Sequence, residues 1–81
     1  MRLDKWLKVS RLIKRLTVAN EACDSDRVWV AGRPQRASYE VKGGDVIELH
    51  FGQRIPRVEV LAVEEHALKG EAAALYRELS T

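Results

Sequence analysis

Apolar residues recur at helical spacing from the start of the chain, with Leu3, Trp6, Leu7 and Val9 followed by Leu12, Ile13 and Leu16. That periodicity predicts an amphipathic first helix from Arg2 to about Leu12. Asp4 falls in its first turn, where negative charge suits the helix dipole, and precedes Lys8 by four residues in the favourable acid-first order. Lys14-Arg15-Leu16-Thr17 reads as a turn into a second helix from about Leu16 to Ser25. Thr17 is an imperfect cap there, because a full capping box needs Glu or Gln where the chain has Asn20.

From Arg27 the pattern changes to a strand period. Val28-Trp29-Val30 is β-branched and aromatic and runs into the turn signal Ala31-Gly32-Arg33-Pro34. Lys42-Gly43-Gly44-Asp45 is a second turn signal, read as a hairpin or bulge turn. After it Val46, Glu48 and His50 alternate with Ile47, Leu49 and Phe51. A third strand is predicted over Arg57 to Val63, joined to its predecessor through Gly52-Gln53-Arg54 as a hairpin. Glu71 to Leu79, with its Ala72-Ala73-Ala74 run and Leu75 and Leu79 four apart, predicts a short closing helix after Gly70 that packs its leucines on the sheet.

Length limits what these elements can do. At 81 residues the chain has room for one small domain, burying roughly 60–65% of its unfolded surface and favouring binding over catalysis. Cys23 has no partner for a disulfide, which points to a reducing, cytoplasmic setting. Arg2, Asp4, Lys5 and Lys8 interrupt any apolar signal segment at the start, and Val60 to Val63 is far too short to span a bilayer.

Charge then separates the two ends. Residues 1–15 carry Arg2, Lys5, Lys8, Arg11, Lys14 and Arg15 against Asp4 alone, a net +5, whereas residues 59–81 carry a net −3; the total of +2 hides this division. Five of those cations recur every three residues and would follow one side of a helix, repelling one another with a single internal counterion. A phosphate backbone would relieve that repulsion; the plainer reading is a solvated basic face. Trp29 points opposite to Val28 and Val30 and suits either sheet packing or stacking on a base.

Enzymatic and metal chemistry find no footing. Cys23, His50 and His66 lie far apart without ligand spacing, and Ser10, Ser25, Ser38 and Ser80 sit in no nucleophile motif. Gly43-Gly44 lacks the Lys and Ser/Thr of a phosphate loop. Neither a catalytic residue nor a cofactor is expected.

The order Arg2-Leu3-Asp4-Lys5-Trp6-Leu7, a basic inter-helix turn, Val28-Trp29-Val30-Ala31-Gly32-Arg33 and Lys42-Gly43-Gly44-Asp45-Val46-Ile47 resembles the RNA-binding domain first defined in small-subunit ribosomal protein S-four, the αL motif. The likeness covers about residues 1 to 50. Within that family the opening residues and the Glu71 to Tyr76 tail are similar to the RqcP group of bacterial ribosome quality control, with heat-shock-induced members as further relatives. The resemblance implies an α+β fold, an αL RNA-binding module of two N-terminal helices packed on a small twisted, mainly antiparallel sheet, with a short C-terminal helix. The domain would span 1–64 and the helical extension 65–81.

The resemblance also implies partners: large-subunit rRNA and peptidyl-tRNA on a stalled large ribosomal subunit, and RqcH, whose alanine tailing of nascent chains the factor would support, with no membrane involved. Carried over by position, Arg2, Lys5, Lys8, Arg11, Lys14 and Arg15 form the basic helix-turn face, Asp4 is the acidic residue that orders it, and Arg33 follows the strand-turn glycine. The chain departs from relatives in having Leu16 where Arg is common before the second helix, and Asp26 where Gly is common before the first strand; Asp tolerates left-handed geometry better than most residues. A helix-turn-helix DNA binder is an alternative, but its recognition helix would carry Glu21 and Asp24 and no Lys or Arg from Leu16 to Asp26, the wrong sign for a groove. The resemblance also leaves a heat-shock-type recycling factor for large subunits carrying nascent chains as an alternative, and a protein-interaction module with a solvated basic face is a further one.

Overall fold

A computed structural model describes residues 1–65 and 72–79. His66, Gly70 and Glu71, which entered the reading of the C-terminal segment, lie outside the described residues.

The first helix, α1 (Leu3–Val9), is shorter than its apolar pattern predicts. It stops because Arg11 turns into the left-handed region at φ 64, its amide donating to the Lys8 carbonyl at 3.0 Å. The reversal lets Ile13 drop into the core at 8% exposure. The second helix, α2 (Leu16–Asp24), runs as the sequence predicts and leaves Leu16 44% exposed, so that residue closes no apolar stripe. Its end is a Schellman turn: Asp26 takes φ 62, with the Asp26 amide on the Cys23 carbonyl at 3.2 Å and the Arg27 amide on the Ala22 carbonyl at 3.0 Å. Asp26 therefore does adopt the left-handed geometry that glycine usually supplies.

Strands β1 (Val28–Val30) and β2 (Arg33–Pro34) are joined by a two-residue turn in which Ala31 and Gly32 both have positive φ, 54 and 79. This is the primed hairpin geometry that matches strand twist. Then come β3 (Val46–Leu49), β4 (Arg57–Val60), a 3₁₀ turn (Ala72–Leu75) and β5 (Tyr76–Leu79), in an antiparallel sheet ordered β2-β1-β3-β4-β5. The β3–β4 hairpin is as predicted, although β3 ends before His50 and β4 before Leu61. The expected C-terminal helix is corrected: Tyr76–Leu79 pairs along the whole of β4, from Val60↔Tyr76 to Arg57↔Leu79. Pairing that edge outweighs the helix propensity of the alanine run.

The Lys42–Asp45 turn does not join two hairpin strands. The segment before it is pinned to the chain start, with Leu3 N–H on the Tyr39 carbonyl at 2.8 Å and Val41 N–H on the Met1 carbonyl at 2.9 Å. The turn is closed by Asp45, whose carboxylate accepts from Lys42 N–H at 2.9 Å and Tyr39 O–H at 3.0 Å. One core lies between helices and sheet: Leu3, Trp6 and Leu7 from α1, Ala19, Ala22 and Cys23 from α2, and Val28, Val30, Ile47, Leu49, Val58 and Val60 from the strands. Trp6 is fully buried, packs edge-on to Tyr76 at 6.5 Å and donates its Nε1–H to the Ala62 carbonyl at 3.0 Å.

Candidate nucleic-acid interface

Burying Leu3, Trp6 and Leu7 fixes the rotation of α1 and turns Lys5 and Lys8 to solvent, three residues apart on its outer side. Arg2 precedes the helix, while Arg11, Lys14 and Arg15 follow it along the turn; all are exposed. The basic row is therefore real, but only its Lys5–Lys8 portion is helical. Arg33 is exposed on a different element, the edge strand β2. Among the described residues Lys5, Lys8, Arg11, Lys14, Arg15 and Arg33 make no ion pair, and Arg2 alone has a carboxylate partner.

That partner is Asp4, which is 4% exposed and works inside the rim rather than on it. Its carboxylate accepts from Arg2 Nε at 3.2 Å, from the Lys5 amide at 2.8 Å and from Asn20 Nδ2 at 3.2 Å. One buried acid thus joins the start of α1 to the middle of α2 and holds one cation of the row.

Between the two helices the same residues line a groove of about 580 Å³, formed by Arg2, Asp4 and Lys5 on one side and Leu16, Thr17, Asn20 and Glu21 on the other. Arg15, the cap position of α2, lends no side-chain hydrogen bond. The first-turn amides of a helix lacking such a cap are open to an anion. The groove sets the cations Arg2 and Lys5 against the carboxylates Asp4 and Glu21, with an amide, a hydroxyl and an exposed leucine between them, so the basic character of this face lies along the rim and not inside the groove. Asn20 and Thr17 went unrecognised as groove residues in the sequence, where Asn20 figured only as a failed capping-box position. Its spacing of three from Thr17 was the available signal.

Other sequence candidates are placed elsewhere. His50 lies on the outer side of the sheet, stacked on Trp29, and Cys23 is in the core with its thiol pushed up to about 12, chiefly by burial and then by Asp4 and Asp24. Among the described residues no cluster of three His, Cys, Asp or Glu side chains could hold a metal, and no helix is long and apolar enough to cross a membrane.

A helix pair on a five-stranded antiparallel sheet, with exposed cations along the first helix and its turn, defines an α+β module with a basic rim. Residues 1–47 match the S4 domain family. The chain is 50% identical over 76 residues to the RQC P-site tRNA stabilizing factor of Halalkalibacterium halodurans, covering 94% of this chain and 86% of that protein. It is 47% identical to the protein of the same name from Bacillus subtilis, covering 94% and 88%. A trimeric structure of Vibrio cholerae Heat Shock Protein 15 superposes with a TM-score of 0.90 at 28% identity, covering 99% of this chain and 82% of that one. The chain belongs to the S4 domain family, in the branch that holds the RQC P-site tRNA stabilizing factors.

Proposed function

We propose that this chain is a non-enzymatic RNA-binding factor of ribosome quality control, acting in the cytoplasm on stalled large ribosomal subunits. Arg2, Lys5, Lys8, Arg11, Lys14 and Arg15 contact rRNA phosphates, with Arg33 as an outlying contact, and Asp4 orders Arg2 without touching RNA. The factor steadies peptidyl-tRNA in the P site and so supports RqcH-dependent alanine tailing of the nascent chain. The reading is carried by the exposed cation row, in which Arg2 alone has a carboxylate partner among the described residues, in a chain half identical to a protein named for P-site tRNA stabilisation.

Such a rim recognises backbone and shape more than base sequence. If about five phosphates are neutralised, log affinity for large-subunit rRNA falls with log salt at a slope of roughly −4 to −5, and Lys8→Ala or Lys14→Ala reduces it by about one unit. A slope near zero in filter binding refutes the rim.

The biological half is tested by gradient sedimentation of tagged protein. Comigration with free large subunits carrying peptidyl-tRNA is the expected result, and exclusive recovery with small subunits refutes it. The structural likeness to Heat Shock Protein 15 favours a second reading, recycling of large subunits with nascent chains after heat stress. Loss of alanine tails on deletion without heat stress distinguishes the first from the second.

A further inference from the structure

The sheet has a second face that the helix rim does not use. Val28, Val30, Ile47, Leu49, Val58 and Val60 point into the core, so their strand neighbours point away from it. There the rings of Trp29 and His50 stack nearly parallel, with centroids 4.5 Å apart and planes 20° apart. The pair is held by its edges: Trp29 Nε1 donates to the Asp26 carbonyl at 2.9 Å, and His50 Nε2 lies 3.1 Å from Glu48 Oε1. Trp29 is half-buried and the His50 side chain is 25% exposed, so the stack remains open to solvent.

Register places cations on both sides of it. The His50 amide donates to the Arg27 carbonyl at 2.7 Å, which extends the Val28↔Leu49 pairing and sets Arg27 beside His50. Arg57 pairs with Glu48 on the next strand. Arg27 and Arg57 are both exposed, and neither makes an ion pair among the described residues. Arg27 immediately precedes β1 and Arg57 opens β4, the two strands that flank β3, so their backbones lie about 10 Å apart across the sheet and are offset by two residues along it. Packing of the core accounts for Val28 and Val30 but not for an aromatic pair left on the solvent side, with Arg27 next to His50 in the register and Arg57 across Glu48 from Trp29.

We propose that the Trp29–His50 stack is a contact for single-stranded RNA, on which an unpaired base stacks while Arg27 and Arg57 hold the flanking phosphates. Aromatic faces accept any base, and guanidinium groups follow the backbone, so the contact is tolerant of sequence. Arg27 and Arg57 attract an acidic peptide as well as RNA, and only the aromatic faces favour RNA, so the experiment carries both. The contact uses none of the rim residues and stands or falls separately from the function proposed above.

The test is binding of a short labelled oligoadenylate to the full chain, followed by anisotropy and by tryptophan emission; Trp6 is fully buried, so quenching reports on Trp29. Trp29→Ala is expected to weaken binding about tenfold, Trp29→Phe to retain most of it, and His50→Ala to weaken it by a smaller factor. Lys8→Ala is expected to leave the quenching in place while large-subunit binding declines. Circular dichroism establishes that each variant is folded. Absence of quenching, or unchanged affinity in folded His50→Ala and Trp29→Ala proteins, overturns the proposal. So does quenching by an acidic peptide of similar length but not by the oligonucleotide, which would make this face a protein-docking surface.

Discussion

Replacing Asp4 with Ala removes the one acceptor shared by both helices. Three donors lose it: the Lys5 amide at 2.8 Å, Asn20 Nδ2 at 3.2 Å and Arg2 Nε at 3.2 Å. A hydrogen bond to a charged group contributes about 1.5–3 kcal/mol when it is buried. The Arg2 side chain is 58% exposed, so its pair with Asp4 contributes little after solvent screening. The Lys5 amide and Asn20 can each recover part of the loss from water. A net cost of about 2 kcal/mol remains, which in a domain of this size lowers Tm by about 8–16 °C. Asp4→Asn, which keeps the shape and one oxygen acceptor, should lose about half as much. The assay is thermal unfolding followed by far-UV circular dichroism, with Asn20→Ala made in both backgrounds. Because Asn20 works through Asp4, its effect should nearly vanish in the Asp4→Ala protein. A Tm within about 3 °C of the parent, or additive effects of the two substitutions, refutes the reasoning. Under the proposed rim, which gives the Asp4 carboxylate no phosphate, Asp4→Asn should also leave the salt slope of rRNA binding unchanged.

Three further outcomes follow from single side chains. Asp26→Gly, at φ 62, relieves a left-handed conformation at the helix end while keeping the Asp26 carbonyl that Trp29 uses; it should raise Tm by about 4–8 °C in the same melt, for a gain of about 1 kcal/mol. Trp6→Phe deletes the bond to the Ala62 carbonyl at 3.0 Å and leaves space in the core, costing about 2–3 kcal/mol by urea unfolding. For Cys23, burial keeps the folded thiol protonated up to about 12, whereas the thiol of an unfolded chain ionises near its ordinary 9.0. Stability is therefore full below about pH 9 and falls as pH rises through that window, because only the unfolded state releases the proton there. Cys23→Ala should flatten this alkaline loss in pH-dependent unfolding, and the native thiol should resist alkylating reagents at neutral pH.

The apolar periods located both helices, the β1 strand and the β3–β4 hairpin because in each case the local pattern and the buried face agree. Leu3, Trp6 and Leu7 mark one side of α1, and Ile47 and Leu49 mark one side of β3; all five are buried. The pattern misled where tertiary pairing decides. The stretch from Ala72 to Leu79 has the composition of a helix, but β4 would otherwise present an unpaired edge beside a core already closed by Leu75, which is 2% exposed. An edge strand satisfies four residues' worth of backbone on β4, a gain that no local propensity records.

The basic rim was legible as composition and misread as geometry. A three-residue repeat of cations predicts one straight stripe, yet only Lys5 and Lys8 share a helical side, because Arg11 leaves the helix at φ 64. A non-glycine residue in that region costs about 1–2 kcal/mol, and nothing in the side chain of arginine offsets it. What offsets it is the burial of Ile13 and the return of the chain to set α2 against α1 across Asp4 and Asn20. The turn thereby carries Arg11, Lys14 and Arg15 away from the axis of α1, so the cations lie along a bend rather than a line. A curved row is what a folded RNA backbone presents to a protein that reads shape. Arg11→Gly should therefore keep or raise Tm while weakening rRNA binding by one phosphate contact, with a salt slope about one unit smaller. A lower Tm in that variant would mean that the arginine side chain, and not the backbone reversal, holds the bend.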